Sequence, residues 1–203
     1  MRTRNINREI LRLAVPNILS NLSVPMIGSV DVILMGQLSA AHIGALGIGT
    51  MIFNFLYWNF GFLRMGTTGI TAQALGRQDR PEIVLTLARA LLVALSVALL
   101  ILLLQGPIAS AAFFLMNVPE NQTSLVAEYF HIRIWAIPAT LGIYVLLGWY
   151  FGMQNAVYPL LLTLFINLVN MGVSILLVLH YDLGVSGVAW GTVCAQFAGF
   201  LGG

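Results

Sequence analysis

Asp31 lies in "SVPMIGSVDVILMGQL", residues 23 to 38, a stretch that otherwise reads as part of a membrane-spanning helix. An ionised carboxylate at mid-bilayer costs about 2.5–3.5 kcal/mol on insertion scales, so such a residue faces a cavity or a partner. A carboxyl group held in apolar surroundings is also a group that can carry a proton. On a 3.6-residue period Asn17, Asn21, Gly28 and Asp31 share one helix face, while Leu19, Leu22 and Ile33 point elsewhere. A second polar stripe follows in "FINLVNMGVSIL", where Asn167, Asn170 and Ser174 share a face, and Thr192 and Gln196 stand one turn apart in a third. Each amide or hydroxyl could instead be satisfied by helix packing, at about 0.6 and up to 2 kcal/mol apiece. A functional site requires the three stripes to converge.

The elements that must position these residues follow from composition. Of 203 residues 59% are hydrophobic and 8% charged, which indicates a membrane protein. Six apolar segments approach or exceed the roughly 20 residues needed to cross a bilayer, at 10–37, 43–75, 84–104, 124–152, 157–179 and 184–203. The connections carry breaker residues: "GQLSAAH", "GRQDRPE", "QGP" with "NVPENQTS", "GMQNAVYP" and "HYDLG". The expected fold is therefore all-α and polytopic, and a β-barrel, which needs short alternating segments, is disfavoured. Arg2, Arg4 and Arg8 precede the first segment, Arg12 lies at its start, and Arg77, Arg80 and Arg89 flank the second connection, whereas the first, third and fifth connections have no Lys or Arg. The N-terminus and the even connections are thus expected on the cytoplasmic side. "MRTRNINREILRLAVPNIL" begins like a signal peptide, but Asn and Pro interrupt its apolar run, so it reads as a retained first helix.

Within the segments, Pro16, Pro25 and Pro138 are expected to bend their helices, and the two in the first segment suggest that protonation of Asp31 changes helix bending. Gly148 with Gly152, and Gly187 with Gly191, are spaced for close helix approach. Arg133 is expected on the outer part of the fourth segment, within snorkelling reach of the headgroups, and Arg64 toward the cytoplasmic end of the second. The final "FAGFLGG" has no polar flank, so the chain is expected to continue into a further lobe.

Several functions are excluded or disfavoured. A net charge of +2 without basic runs gives no footprint for nucleic acid. The lone Cys194 rules out a disulfide framework and a Cys-rich metal site. His42, His131 and His180 are scattered, and neither paired intramembrane carboxylates nor a phosphate-cradling Gly loop is present, so an enzyme is disfavoured and no metal site or organic cofactor is expected.

Three stretches together resemble a known family: "RLAVPNILSNLSVPMIGSVDVILMGQL", "FLRMGTTGITAQALGR", and "LLGWYFGMQNAVYPLLLTLFINLVNMGVSILLV" with "LGVSGVAWGTV". They are similar to the multidrug and toxic compound extrusion (MATE) transporters, in their DinF-like branch, across essentially the whole chain. The resemblance implies twelve helices in two six-helix lobes, of which this chain would be the N-terminal one, its C-terminal lobe lying elsewhere in the same polypeptide. It implies antiport of organic, cationic amphipathic compounds by alternating access in a bacterial inner membrane, driven by a proton or sodium gradient. Asp31 takes the place of the family's coupling carboxylate, Pro16 that of a proline associated with helix bending, and Thr192 that of a cavity threonine. Where the family carries two Asn and then an Asp, this chain has Asn167, Asn170 and Ser174. Loss of that second acid weakens a sodium site of hard oxygen ligands and favours the proton. Asn21 and Gln196 are further candidates for the cavity wall. The alternatives are a lipid-linked saccharide flippase, which would need a more cationic central cavity, and a stand-alone channel or scaffold subunit, which would need a closed sixth helix.

Overall fold

The computed structural model describes residues 14, 15, 18 and 29–203. No strand occurs among them; residues 14, 15 and 18 are helical, and the first longer continuous helical stretch is residues 29–36, α1. The remaining helices are α2 (Ala40–Trp58), α3 (Gly61–Gly76), α4 (Arg80–Leu103), α5 (Gln105–Leu115), α6 (Thr123–Arg133), α7 (Ile137–Gly152), α8 (Val157–Ile175) and α9 (Gly184–Gly202). Among the described residues five units are long and apolar enough to cross a membrane: Ala40–Gly76, Arg80–Leu103, Glu120–Gly152, Val157–His180 and Gly184–Gly202. The chain is a multi-pass membrane protein. The expected first segment, 10–37, lies mostly outside the described residues.

Three expectations change in detail. The segment read as continuous over 43–75 breaks at Asn59 and Phe60, where the Asn59 side-chain amide donates to the Phe55 carbonyl at 2.7 Å and Gly61 begins α3. The segment read over 124–152 passes through a 3-10 turn, Ile134–Ala136, and Pro138 falls in the first turn of α7, where its missing N–H costs nothing. The "QGP" sequence read as a loop opens α5, because Pro107 also falls in a first turn. Between α3 and α4 the expected turn is present: Gln78 takes φ 58°, and Asp79 accepts from the Glu82 amide at 3.1 Å to cap α4.

Packing follows the small residues. A Cβ on Gly148 would meet the Arg64 carbonyl, and one on Gly152 the Thr68 carbonyl and Thr71, so α7 lies directly on the α3 backbone. Gly191 plays the same part against Ser174 of α8, and Gly187 against Leu177 and Val178 in the π-helical turn Leu176–His180 that continues it, bringing α9 onto α8 and its extension. The Trp149 indole N–H donates to the Ile83 carbonyl at 3.0 Å and ties α7 to α4. Hydroxyls inside the apolar helices back-bond one turn up, as Thr67 to Leu63, Thr86 to Glu82 and Thr163 to Pro159, which satisfies them without water. Elsewhere an aromatic core forms where Phe53 stacks on Phe130 at 5.4 Å and meets Tyr129 edge-on at 6.2 Å. Each such pair contributes about 0.5–1.5 kcal/mol beyond area burial.

Candidate functional site

One cavity of about 1010 Å³ opens among α1, α2, α3 and the α6–α9 group. Asp31 reaches it from α1, Asn167 and Asn170 from α8, and Thr192 and Gln196 from α9, so the structure brings side chains of all three polar stripes to one place. Ser174 stands behind that surface: it is fully buried, does not line the cavity, and lies beside the Asp31 carboxylate. Gly191 creates its niche, since a Cβ there would collide with the Ser174 hydroxyl. Asn21, Pro16 and Pro25 lie outside the described residues.

The hydrogen bonds around Asp31 are incomplete. The Asn170 amide donates to Thr192 Oγ1 at 3.1 Å, and that hydroxyl donates to the Val188 carbonyl at 3.2 Å. Asp31 Oδ1, Asn170 Oδ1 and Ser174 Oγ are left buried without a hydrogen bond of good geometry to any described residue. Buried oxygens in this condition cost free energy unless a proton, an ion or water reaches them. All three are hard donors, so the group can accept a proton or contribute to a sodium shell.

Two arginines require a correction. Read along continuous segments, Arg64 and Arg133 fall near helix ends; in the structure both line the cavity. Arg64 stands in the first turn of α3, about 18 Å from the Gly76 end at a rise of about 1.5 Å per residue. Arg133 closes α6, about 15 Å from its Thr123 end by the same rise. Arg133 donates to the Tyr129 hydroxyl, lies over the rings of Phe53 and Tyr129 at 5.2 and 5.4 Å, and is close enough to Asp31 for each to act on the other's charge. Arg64 lies over the Phe151 ring at 5.0 Å. The cavity is also aromatic: Tyr57 and Tyr144 line it with ring centroids 6.5 Å apart. Sequence reasoning assigned neither arginine to the site, although an Arg inside an apolar segment is itself a signal.

Known proteins share this arrangement of helices. The MatE family model matches residues 16–176. DNA damage-inducible protein F of Escherichia coli (strain K12) is 36% identical over 196 residues, covering 96% of this chain and 43% of that protein. The probable multidrug resistance protein NorM of Rhizobium meliloti (strain 1021) is 29% identical over 201 residues, covering 96% of this chain and 42% of that one. Among solved structures, the outward-facing conformation of a multidrug resistance MATE family transporter of the MOP superfamily superposes with a TM-score of 0.88 at 19% identity, covering 95% of this chain and 43% of that chain. The chain thus spans less than half the length of these relatives and has the fold of one lobe.

Proposed function

The chain belongs to the MatE family, a family of transporters and not of enzymes, and on that premise we propose that it forms the N-terminal lobe of a cation-coupled exporter of organic amphipathic compounds. The multidrug resistance names of its relatives support the efflux reading. The observation that carries the mechanism is Asp31 itself, a buried carboxylate with an unpartnered oxygen on the wall of a cavity large enough for an organic molecule.

In this reading Asp31 binds the coupling proton, while Asn167, Asn170, Thr192 and Gln196 line the space the cargo shares with it. Protonation removes the charge that holds α1 against the polar wall, and Pro16 and Pro25 give the first helix the freedom to bend into the cavity. Bound proton and bound cargo then favour different conformations, which is the only way either can bias alternating access. Proton coupling is preferred over sodium because Ser174, a neutral hydroxyl, stands beside Asp31 in place of a second carboxylate. The remaining lobe of the same polypeptide completes the transport path. Arg77 and Arg80 at the α3–α4 connection support a cytoplasmic N-terminus in a bacterial inner membrane.

The test is pH-gradient-driven transport of fluorescent amphipathic dyes of either charge in inverted vesicles holding the natural full-length protein or its Asp31→Asn form at matched expression. Loss of coupled transport with insertion and dye binding retained is expected. Undiminished coupled transport would make Asp31 a structural residue.

A further inference from the structure

The charges of the cavity do not suit a purely cationic cargo. Among the described residues that line it, Arg64 and Arg133 are cationic and Asp31 is the only acid, so the wall is net positive even with Asp31 ionised. Arg133 is engaged by the Tyr129 hydroxyl, two aromatic rings and the charge of Asp31. Arg64 is not. Its guanidinium carbon lies 5.0 Å from the centre of the Phe151 ring and its charge is felt by the Tyr144 phenol, but among the described residues its side chain makes no ion pair and no hydrogen bond.

An arginine in this state presents five coplanar donors, a pattern that fits a carboxylate, sulfonate or phosphate through two parallel hydrogen bonds. Its backbone is held in place: Gly148 lets α7 rest on the Arg64 carbonyl, and the Thr68 hydroxyl donates to that same oxygen at 2.8 Å. Tyr57, Tyr144 and Phe151 share the cavity wall with it and offer an aromatic surface to an apolar body. The geometry points to Arg64 as an anion subsite: the cargo is an amphipathic compound whose carboxylate, sulfonate or phosphate group is held by the Arg64 guanidinium while its apolar body lies on Tyr57, Tyr144 and Phe151.

This inference rests on the cavity being the cargo site, and it replaces the organic cations that family resemblance implies. It is compatible with cation coupling because the proposed cycle clears the cavity by bending the first helix, not by setting proton and cargo in competition for one charge. The anionic group could belong to a free amphiphile or to a lipid headgroup.

The experiment measures binding of two fluorescent probes of equal chain length, an alkyl sulfonate and an alkyl quaternary ammonium, to the natural full-length protein in phosphatidylcholine vesicles. The wild type is expected to bind the sulfonate about tenfold or more tightly than the ammonium, as a charge-assisted bidentate contact would give. Arg64→Gln should abolish that preference by weakening sulfonate binding while ammonium binding is retained or strengthened, since a repelling cation is lost, and Arg64→Lys should keep part of the preference. An ammonium preference in the wild type overturns the inference and leaves the cavity reading standing, without relying on any variant folding. An equal loss of both probes in Arg64→Gln also overturns it. Binding of neither probe overturns both the inference and the cavity as cargo site. In a further arm, competition by phosphatidylglycerol against the sulfonate identifies a lipid headgroup as the source of the anion, and its absence a free amphiphile; either result supports the subsite.

Discussion

The side-chain amide of Asn170 donates to Thr192 Oγ1 at 3.1 Å, a bond that joins α8 to α9 at the wall of the cavity that Asp31 lines. Both residues are mostly buried at the cavity wall. The bond also fixes the amide so that the opposite atom, Oδ1, is left without a partner among the described residues. Thr192→Val keeps the shape and removes the acceptor, and is expected to cost about 1 kcal/mol, between the average for intramembrane bonds and the penalty for a stranded buried donor. Thermal unfolding in detergent should show a Tm lower by about 2–4 °C, while Thr192→Ser stays near wild type. Equal melting of the Val and Ser forms would mean the bond contributes nothing.

The contact between α3 and α7 makes a sharper demand, because a Cβ on Gly148 would run into the Arg64 carbonyl, which belongs to the backbone and cannot rotate away. Gly148→Val should therefore destabilise by about 1–3 kcal/mol, the usual range for forcing atoms into a packed interface. Gly172 supplies the comparison: nothing lies within 4 Å of a Cβ built there, so Gly172→Ala should leave stability unchanged or slightly raised. Retained stability in Gly148→Val would show that the helices can separate freely at Arg64.

Trp149 tests the link from α7 to α4. Its indole N–H reaches the Ile83 carbonyl at 3.0 Å in the first turn of α4. Trp149→Phe preserves most of the ring and loses the donor, with an expected cost of about 0.5–1.5 kcal/mol. A Tm equal to wild type would assign the indole to packing alone.

Periodicity makes the polar stripes legible in the amino-acid sequence, because residues spaced by 3.6 must share a helix face whatever they pack against. It does not reveal depth. Asn170 and Ser174 lie on one face of α8, yet Asn170 lines the cavity and Ser174 lies behind it, a distinction set by the close approach of Gly191 on another helix. The arginines are misplaced by sequence for a related reason: whether Arg64 and Arg133 face a cavity depends on the neighbouring helices that enclose it, which position along one segment does not show. Pro138 and Pro107 carry the opposite ambiguity, since a proline reads alike as a kink, a loop or a first turn until the preceding residues are placed. Glycine spacing, by contrast, is a direct guide to packing, as the Gly148–Gly152 and Gly187–Gly191 pairs both sit at helix contacts.

Ser174 gives the most direct test of what Asp31 binds. It is fully buried next to that carboxylate, and the buried Oδ1 of Asn170 has no partner among the described residues. Ser174→Asp would place a second carboxyl group in the same apolar pocket, where two like charges cannot both be held without a cation between them. Sodium suits such a set, since its preferred ligands are carboxylate and amide oxygens. The variant is therefore expected to melt higher in sodium chloride than in choline chloride, and to transport in response to a sodium gradient, whereas the wild type responds to neither. A sodium-specific rise in the wild-type Tm would show that Asp31 and its neutral neighbours already hold the ion, and would displace the proton as the preferred coupling ion. A variant that folds and remains indifferent to sodium would mean that the carboxylate at this position cannot reach Asp31, and that the choice of ion is made elsewhere in the cavity.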